Sequence, residues 1–360
     1  MNDNNAINIV IGLSVAEHLS DETNENLLYV GPRFTNDKWH IKTPSIYKFS
    51  ELLKEVDRRN FTINQIFIFC DIFSLSQFRI DFDCKFNIGK VTAVIGDTHH
   101  TEQPLTPLIN WLKYNNIKNV ALKQTVNQAP IFRDFKFNVI CLPYYAHDVT
   151  LLEPTKTYIE RVLFFGTISE RHPRRKELIE YLIKRNLPLD VVSGKREKSF
   201  YAYNNYSCSI NMPLNKDINY RIYEVMVSGG VCITEKFASS TIGTQIAVNN
   251  KNILEYGTFE SCYELCCFML ENKSARERLA KQSYESMKDC KSKGLVYSML
   301  KDNNIGKEGI NIDVSSKREA EELYKNLEEF ERIQNIRAKG HNLLPTQIAK
   351  LKHNWKGSLS

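Results

Sequence analysis

A short apolar run, a polar turn and a segment with helical periodicity follow one another repeatedly between Ile7 and Thr234. Residues 7–11, 27–30, 65–69, 91–95, 120–122 and 139–142 read as short buried strands, and 46–58 and 107–115 carry helical periodicity between them. Repetition of this kind folds into a parallel, doubly wound sheet, because the helical segment carries the chain back to begin the next parallel strand. The first part of the chain is therefore expected to be one Rossmann-like domain. With 360 residues, 42% of them hydrophobic, the chain is long enough for a second domain with its own core.

Several classes of function fall away on composition and motif. No Gly-x-Gly-x-x-Gly follows the first strand, where the sequence reads Gly12-Leu13-Ser14, so a dehydrogenase is not expected. No apolar run approaches the roughly 20 residues of a membrane span. The start, Met1-Asn2-Asp3-Asn4-Asn5, is neither basic nor followed by a signal-like segment, and a cytoplasmic protein is expected. Nine cysteines, scattered through apolar strands and one helix, argue for reduced core thiols. Cys262, Cys266 and Cys267 stand at helical spacing with no histidine nearby, which fits buried thiols rather than zinc. The net charge of +6 suits an anionic ligand or surface and is too mild to imply nucleic acid.

The stretch 219–235 concentrates the chemistry. It opens with Asn219-Tyr220-Arg221, runs through the helical stripe Ile222, Val225 and Met226, breaks at Gly229-Gly230, and resumes as Val231-Cys232-Ile233-Thr234. That is a short helix, a glycine cap and a buried strand. Arg221 and Glu224 at the start of such a helix lie at the edge where α/β folds bind ligands. Upstream, the strand 161–167 turns at Gly166-Thr167, and Arg171 and Arg174 precede a helix over 176–184 with Leu178, Ile179 and Leu182 inward. A glycine turn lets a ligand approach the backbone, and the N–H groups of the next helix suit a diphosphate, with Arg171 or Arg174 adding charge. The same residues also read as a solvated basic helix start.

Asn219-x-Arg221-x-x-Glu224, followed by Gly229-Gly230 and an apolar strand ending in Thr234-Glu235, resembles the donor-sugar motif of CgeB-like and related family-1-type bacterial glycosyltransferases of the GT-B fold. The likeness spans roughly residues 90–295 and is strongest over 219–235. It implies an α/β architecture of two Rossmann-like, doubly wound domains facing a cleft. Residues 1–150 would form the acceptor domain, 151–300 the nucleotide-sugar donor domain, and 301–360 a helical basic extension. It further implies that Arg221 and Glu224 face the nucleotide-sugar beside Asn219 and Tyr220, the glutamate holding ribose hydroxyls. Ser193-Gly194-Lys195, after the strand 189–192, would recognise base or phosphate. Retaining members often carry two glutamates eight positions apart. Here the earlier position is Lys216, so the stereochemical outcome stays open.

Catalytic candidates gather after the strand 91–95, where Gly96-Asp97-Thr98-His99-His100 emerges at the carboxyl edge of the sheet. This segment also resembles one found in some bacterial glycosyltransferases. Asp97 can accept a proton from an acceptor hydroxyl, and His99 or His100 can do the same or bind phosphate when charged. Equally, Asp97 can cap a following helix and leave the histidines as loop residues. Glu17 and His18 follow the first strand, in the region where several GT-B enzymes keep their base, or belong to an exposed helix. Asp81-Phe82-Asp83 has the metal-holding form of GT-A enzymes, yet 79–88 alternates as a half-exposed strand does, so no metal or other cofactor is expected. Residues 143–148, with His147, are expected to link the domains.

The function implied is transfer of a sugar from a nucleotide-sugar to a hydroxyl of a glycan or protein. The alternatives are a non-catalytic nucleotide-sugar-binding scaffold and a sugar-nucleotide epimerase on the same fold. In the stretch 337–356, Arg337, Lys339, Lys350, Lys352 and Lys356 surround Leu343, Leu344, Ile348, Leu351 and Trp355. This basic amphipathic tail is expected to pack on the chain or bind a protein partner, with an anionic surface at the inner membrane face as the alternative.

Overall fold

The computed structural model describes residues 5–13, 26–70, 72–96, 105–123, 128–141, 151–168, 173–194, 196–213, 218–237 and 246–292. These fall into two compact units, residues 5–141 and residues 151–292. Among the described residues no helix is long and apolar enough to cross a membrane.

The first unit runs β1 (Ala6–Ile11), β2 (Leu27–Gly31), β3 (His40–Lys42), β4 (Ile46–Lys48), α1 (Phe49–Arg58), β5 (Thr62–Cys70), α2 (Ile72–Gln77), β6 (Arg79–Asp81), β7 (Val91–Ile95), α3 (Leu105–Tyr114), β8 (Asn119–Leu122), α4 (Ala129–Asp134) and β9 (Asn138–Cys141). A seven-stranded sheet has the order β3-β2-β1-β5-β7-β8-β9, with every neighbouring pair parallel. All of β7, and β1 from Ile7 onward, is buried, the signature of strands covered on both faces.

Two expectations need correction. The helix expected over 46–58 starts at Phe49, because Ile46-Tyr47-Lys48 alternates exposed, buried, exposed and pairs as β4 with β6. The strand expected over 79–88 ends at Asp81. Asp83 turns to the start of α1, where its carboxylate accepts from the Ser50 backbone N–H at 2.8 Å and the Ser50 hydroxyl at 2.6 Å. It supplies the cap that the Lys48 side chain does not, and these bonds hold its carboxyl below the usual range.

The second unit runs β10 (Ile159–Phe165), α5 (Pro173–Lys184), β11 (Leu189–Val192), α6 (Arg196–Asn205), β12 (Tyr206–Asn211), α7 (Tyr220–Val227), β13 (Cys232–Glu235), β14 (Leu254–Tyr256), α8 (Phe259–Glu271) and α9 (Lys273–Ser292). Its five-stranded sheet has the order β11-β10-β12-β13-β14, again wholly parallel. Val162, Phe164, Leu178, Leu182, Ile210 and Ile233 pack in its core, each contributing roughly 1.5–3 kcal/mol by leaving water. Cys208, Cys232, Cys262 and Cys266 are buried free thiols and Cys267 is half-buried.

Five helices end alike. The second residue past each of α1, α3, α4, α5 and α7 is left-handed: Asn60 (φ 57°), Asn116 (53°), Lys136 (65°), Asn186 (57°) and Gly229 (65°). That residue and the next donate back to the last turn, as Asn186 does to Ile183 (2.9 Å) and Leu187 to Leu182 (3.2 Å). Four of the five carry side chains, so the turn alone does not demand glycine. Gly229 differs in its surroundings. A Cβ there would stand 2.6 Å from the Leu152 carbonyl oxygen and 2.8 Å from the Pro154 nitrogen, and one on Gly230 would stand 2.5 Å from the Tyr203 carbonyl oxygen. The contact is sealed by Leu152 N–H donating to Val227 O (2.9 Å) and by Asn204 Nδ2 donating to the carbonyls of Glu153 (2.8 Å) and Ser228 (2.5 Å).

Candidate functional site

In a parallel α/β sheet, ligands bind outside the carboxyl ends of the strands where strand order reverses. In the second unit the reversal falls between β10 and β12, since β11 lies on one side of β10 and β12, β13 and β14 on the other. Gly166 follows β10 at this point, its N–H held by Val192 O at 2.8 Å. Arg221, in the first turn of α7, brings its guanidinium against it. A Cβ on Gly166 would lie 3.0 Å from Nη2, 3.1 Å from Nη1 and 3.3 Å from Cζ of that side chain. The glycine thus makes room for a guanidinium.

Arg221 is half-buried, with an aromatic ring on one side and a tyrosine hydroxyl within hydrogen-bond reach. Its Cζ stands 6.0 Å from the Phe164 ring centroid. The Tyr203 hydroxyl is hydrogen-bonded to Arg221 and Ser199, and burial pushes that phenol up to about 12, so it stays neutral. Nε and Nη1 of Arg221 are buried and find no acceptor among the described residues. Buried N–H donors of a cation are costly to leave unused unless an acceptor completes them, and an anionic oxygen is the strongest such acceptor.

The start of α7 is pinned by amides. Asn219 occupies the N-cap position without making a cap bond. Its Nδ2 donates instead to Asn211 Oδ1 (3.1 Å) at the end of β12, and Asn211 Nδ2 donates to Thr234 Oγ1 (3.0 Å) on β13. Asn219 Oδ1 is a further buried atom with no partner among the described residues. Glu224 is buried within α7, near enough to Tyr203 for its charge to act on the phenol, and Tyr220 is half-buried beside Arg221.

Arg174 departs from its expected role. Rather than standing ready for a diphosphate, it is ion-paired with Glu235 at the end of β13, and Arg175 Nε donates to Met212 O at 3.0 Å. Glu235 is 5% exposed, and a carboxylate so buried needs a cation, which the first turn of α5 supplies. Gly166, Asn219, Arg221 and Glu224 therefore share one edge, with Thr167 exposed just beyond β10 and Ser193 and Gly194 exposed after β11. Arg171, Lys195, Asp97, His99, His100, Glu17, His18, His147, Lys216 and the tail 301–360 lie outside the described residues.

Tyr203 and Asn211 belong to this edge without having been singled out in the sequence, and Thr234 and Glu235, which close the quoted motif, carried no role of their own there. The available signal was polar residues ending apolar strands, as in Ser209-Ile210-Asn211 and Ile233-Thr234-Glu235. In the first unit, charge gathers at the opposite, amino edge. There Asn36, Asp37, Lys38, Arg58, Arg59 and Phe61 line a groove of about 480 Å³.

No protein-family model matches the chain, and no curated protein matches it in sequence. Solved structures do match. TarM of S. aureus superposes with a TM-score of 0.40 and 10% identity over 70% of this chain and 52% of TarM, so the chain spans about half of TarM's length. The β-glucosyltransferase of phage T4 superposes with a TM-score of 0.50 and 12% identity over 84% of this chain and 99% of its own. The sucrose-phosphate synthase of Thermosynechococcus elongatus gives 0.50 and 10% over 83% and 98%. The fold is that of GT-B glycosyltransferases, two α/β units each built on a parallel sheet.

Proposed function

We propose that the chain is a glycosyltransferase that moves a sugar from a nucleotide-sugar to a hydroxyl of a glycan or protein without a metal. The observation that carries this reading is Arg221, a guanidinium with two buried, unsatisfied donors beside Gly166 at the switch point of a parallel sheet. The resemblance of 219–235 to the CgeB-like donor motif supports the same ligand class. So does the fold shared with a β-glucosyltransferase and a sucrose-phosphate synthase.

In this reading residues 151–292 hold the donor. Gly166, Thr167, Arg171 and Arg221 grip the diphosphate, Glu224 the ribose with Asn219 and Tyr220 beside it, and Ser193, Gly194 and Lys195 the base. Negative charge grows on the diphosphate as the bond to the sugar breaks. Donors already fixed around that position stabilise the transition state more than the ground state. The acceptor proton goes to Asp97, His99, His100 or His18 if the reaction inverts. A cytoplasmic location, with residues 337–356 docking on a protein partner or an anionic membrane surface, belongs to the same reading.

A thermal-shift panel of UDP, GDP, CDP, ADP and dTDP, each with its glucose conjugate, tests it on the wild type and Arg221→Ala. One base should raise the midpoint, by the equivalent of about 2.7 kcal/mol at a hundredfold excess over Kd. The variant should lose that shift. No shift with any of them overturns the donor site. A conjugate that binds but is neither transferred nor hydrolysed identifies a binding scaffold instead.

A further inference from the structure

Tyr203, near the end of α6, has no part in the donor grip described above, yet it is only 1% exposed. A buried phenol hydroxyl is costly unless it is bonded, and phenylalanine would fill the same space without that cost. The hydroxyl stands within hydrogen-bond reach of Arg221 and Ser199. A guanidinium carries donors only, so the phenol oxygen accepts from Arg221.

That oxygen is a fixed point. The main chain of Tyr203 abuts Gly230, where a Cβ would meet its carbonyl oxygen at 2.5 Å, and its ring packs on Phe165 with centroids 5.9 Å apart. The next residue, Asn204, donates to the carbonyls of Glu153 and Ser228. The end of α6 therefore meets both ends of α7, its first turn through the Tyr203 hydroxyl and its last through Asn204.

Nothing else among the described residues holds the Arg221 guanidinium by a directed bond. Phe164 lies 6.0 Å from its Cζ and Gly166 gives it room, but neither directs an N–H. An arginine side chain turns about several bonds, and fixing it beforehand spares a ligand that loss of freedom. Arg174 provides the contrast. Its anchor is the carboxylate of Glu235, which answers its charge. The phenol of Tyr203 stays neutral, because burial pushes it up to about 12, and it directs a guanidinium without cancelling the charge.

We infer that Tyr203 is a positioning residue, a neutral anchor that aims the Arg221 guanidinium at the anion it binds. This rests on the donor-site reading and adds to it a residue that acts through Arg221.

Titration calorimetry with UDP, GDP, CDP, ADP and dTDP tests it, at a temperature where urea unfolding shows every protein to be folded, so that affinity is read apart from stability. The proteins are the wild-type chain, Tyr203→Phe, which keeps the ring and loses only the oxygen, and Tyr206→Phe. The last removes from the same unit a hydroxyl bonded to Asp190 at 2.9 Å, at the amino end of β12. The diphosphate that binds the wild type should bind Tyr203→Phe about tenfold more weakly, the size of one hydrogen bond to a charged group. Tyr206→Phe should bind it as the wild type does. Unchanged affinity in Tyr203→Phe overturns the assignment, as does an equal loss in Tyr206→Phe, which would be a loosening of the whole unit. Both outcomes leave the donor site standing. A wild type that binds none of the five removes the donor site and this assignment together.

Discussion

Two arginines, one in each unit, show how differently a charge can be used. Arg59, at the amino edge of the first sheet, donates to the carbonyls of Asp37 (2.6 Å), Lys38 (2.8 Å) and His40 (3.4 Å) and to Glu55 (2.8 Å). It ties the end of α1 to the approach to β3. Arg221, at the carboxyl edge of the second sheet, buries two N–H-bearing nitrogens that nothing among the described residues accepts. The first edge carries more charge, including Arg58, Lys38, Asp37 and Glu55, and has a groove as well. Charge density and concavity alone thus do not mark a site. Donors left over after folding point to a ligand where they also stand at a switch point of a parallel sheet, as those of Arg221 do, because folding by itself gives no return on their burial.

The contrast fails if the two arginines respond alike to truncation. Arg59→Ala removes four hydrogen bonds and should lower the stability of the first unit by about 3 kcal/mol. Nucleoside diphosphate affinity should not change. Arg221→Ala should lie within about 1 kcal/mol of the wild type or above it, since the one bond it loses, to Tyr203, is offset by removing two buried donors that have no acceptor among the described residues. Urea unfolding followed separately in each unit measures both, and equal losses would end the distinction. A smaller effect comes from Gly166→Ala, whose methyl would crowd a guanidinium 3.0 Å away. The side chain can yield, so diphosphate affinity should fall only about threefold, or roughly 0.6 kcal/mol. No change at all would mean that the anion does not sit where Gly166 and Arg221 meet.

The smallest effect is on the acid limb of the stability curve. Hydrogen bonds from Arg58 and Arg59 hold the Glu55 carboxyl at about 2, against an ordinary 4.5. A carboxyl depressed by folding stabilises fully above its unfolded value and loses that contribution as pH falls through the folded one. The first unit should therefore weaken between pH 4.5 and about 2, and Glu55→Gln should flatten that limb. An identical slope in the variant would show that the amino-edge cluster contributes no more than scattered surface charge.

Much of the fold was legible because strands buried on both faces are continuous apolar runs, as in Val91-Thr92-Ala93-Val94-Ile95. The helix ends were legible too in principle, since Asn60, Asn116 and Asn186 sit where left-handed caps fall. β4 was not, because its three residues become a strand only by pairing with β6, and that partner lies across α1, β5 and α2. The site divides in the same way. Gly166 and Arg221 stand out through local spacing, a glycine after a strand and a cation opening a helix. The Arg174–Glu235 pair was not legible, because its members lie 61 residues apart and local spacing carries no trace of that pairing. Tyr203 and Asn211 matter only through what they touch.

The glycine pair after α7 has a consequence for how a ligand is met. The helix is only eight residues long. One end is locked by Leu152 and Pro154 against Gly229 and by Tyr203 against Gly230, and the other by the Asn219–Asn211 amide pair. The backbone freedom of Arg221 is thus surrendered while the chain folds, before any ligand arrives. An anion docking there loses little to ordering the protein, and more of each hydrogen bond it forms appears as affinity.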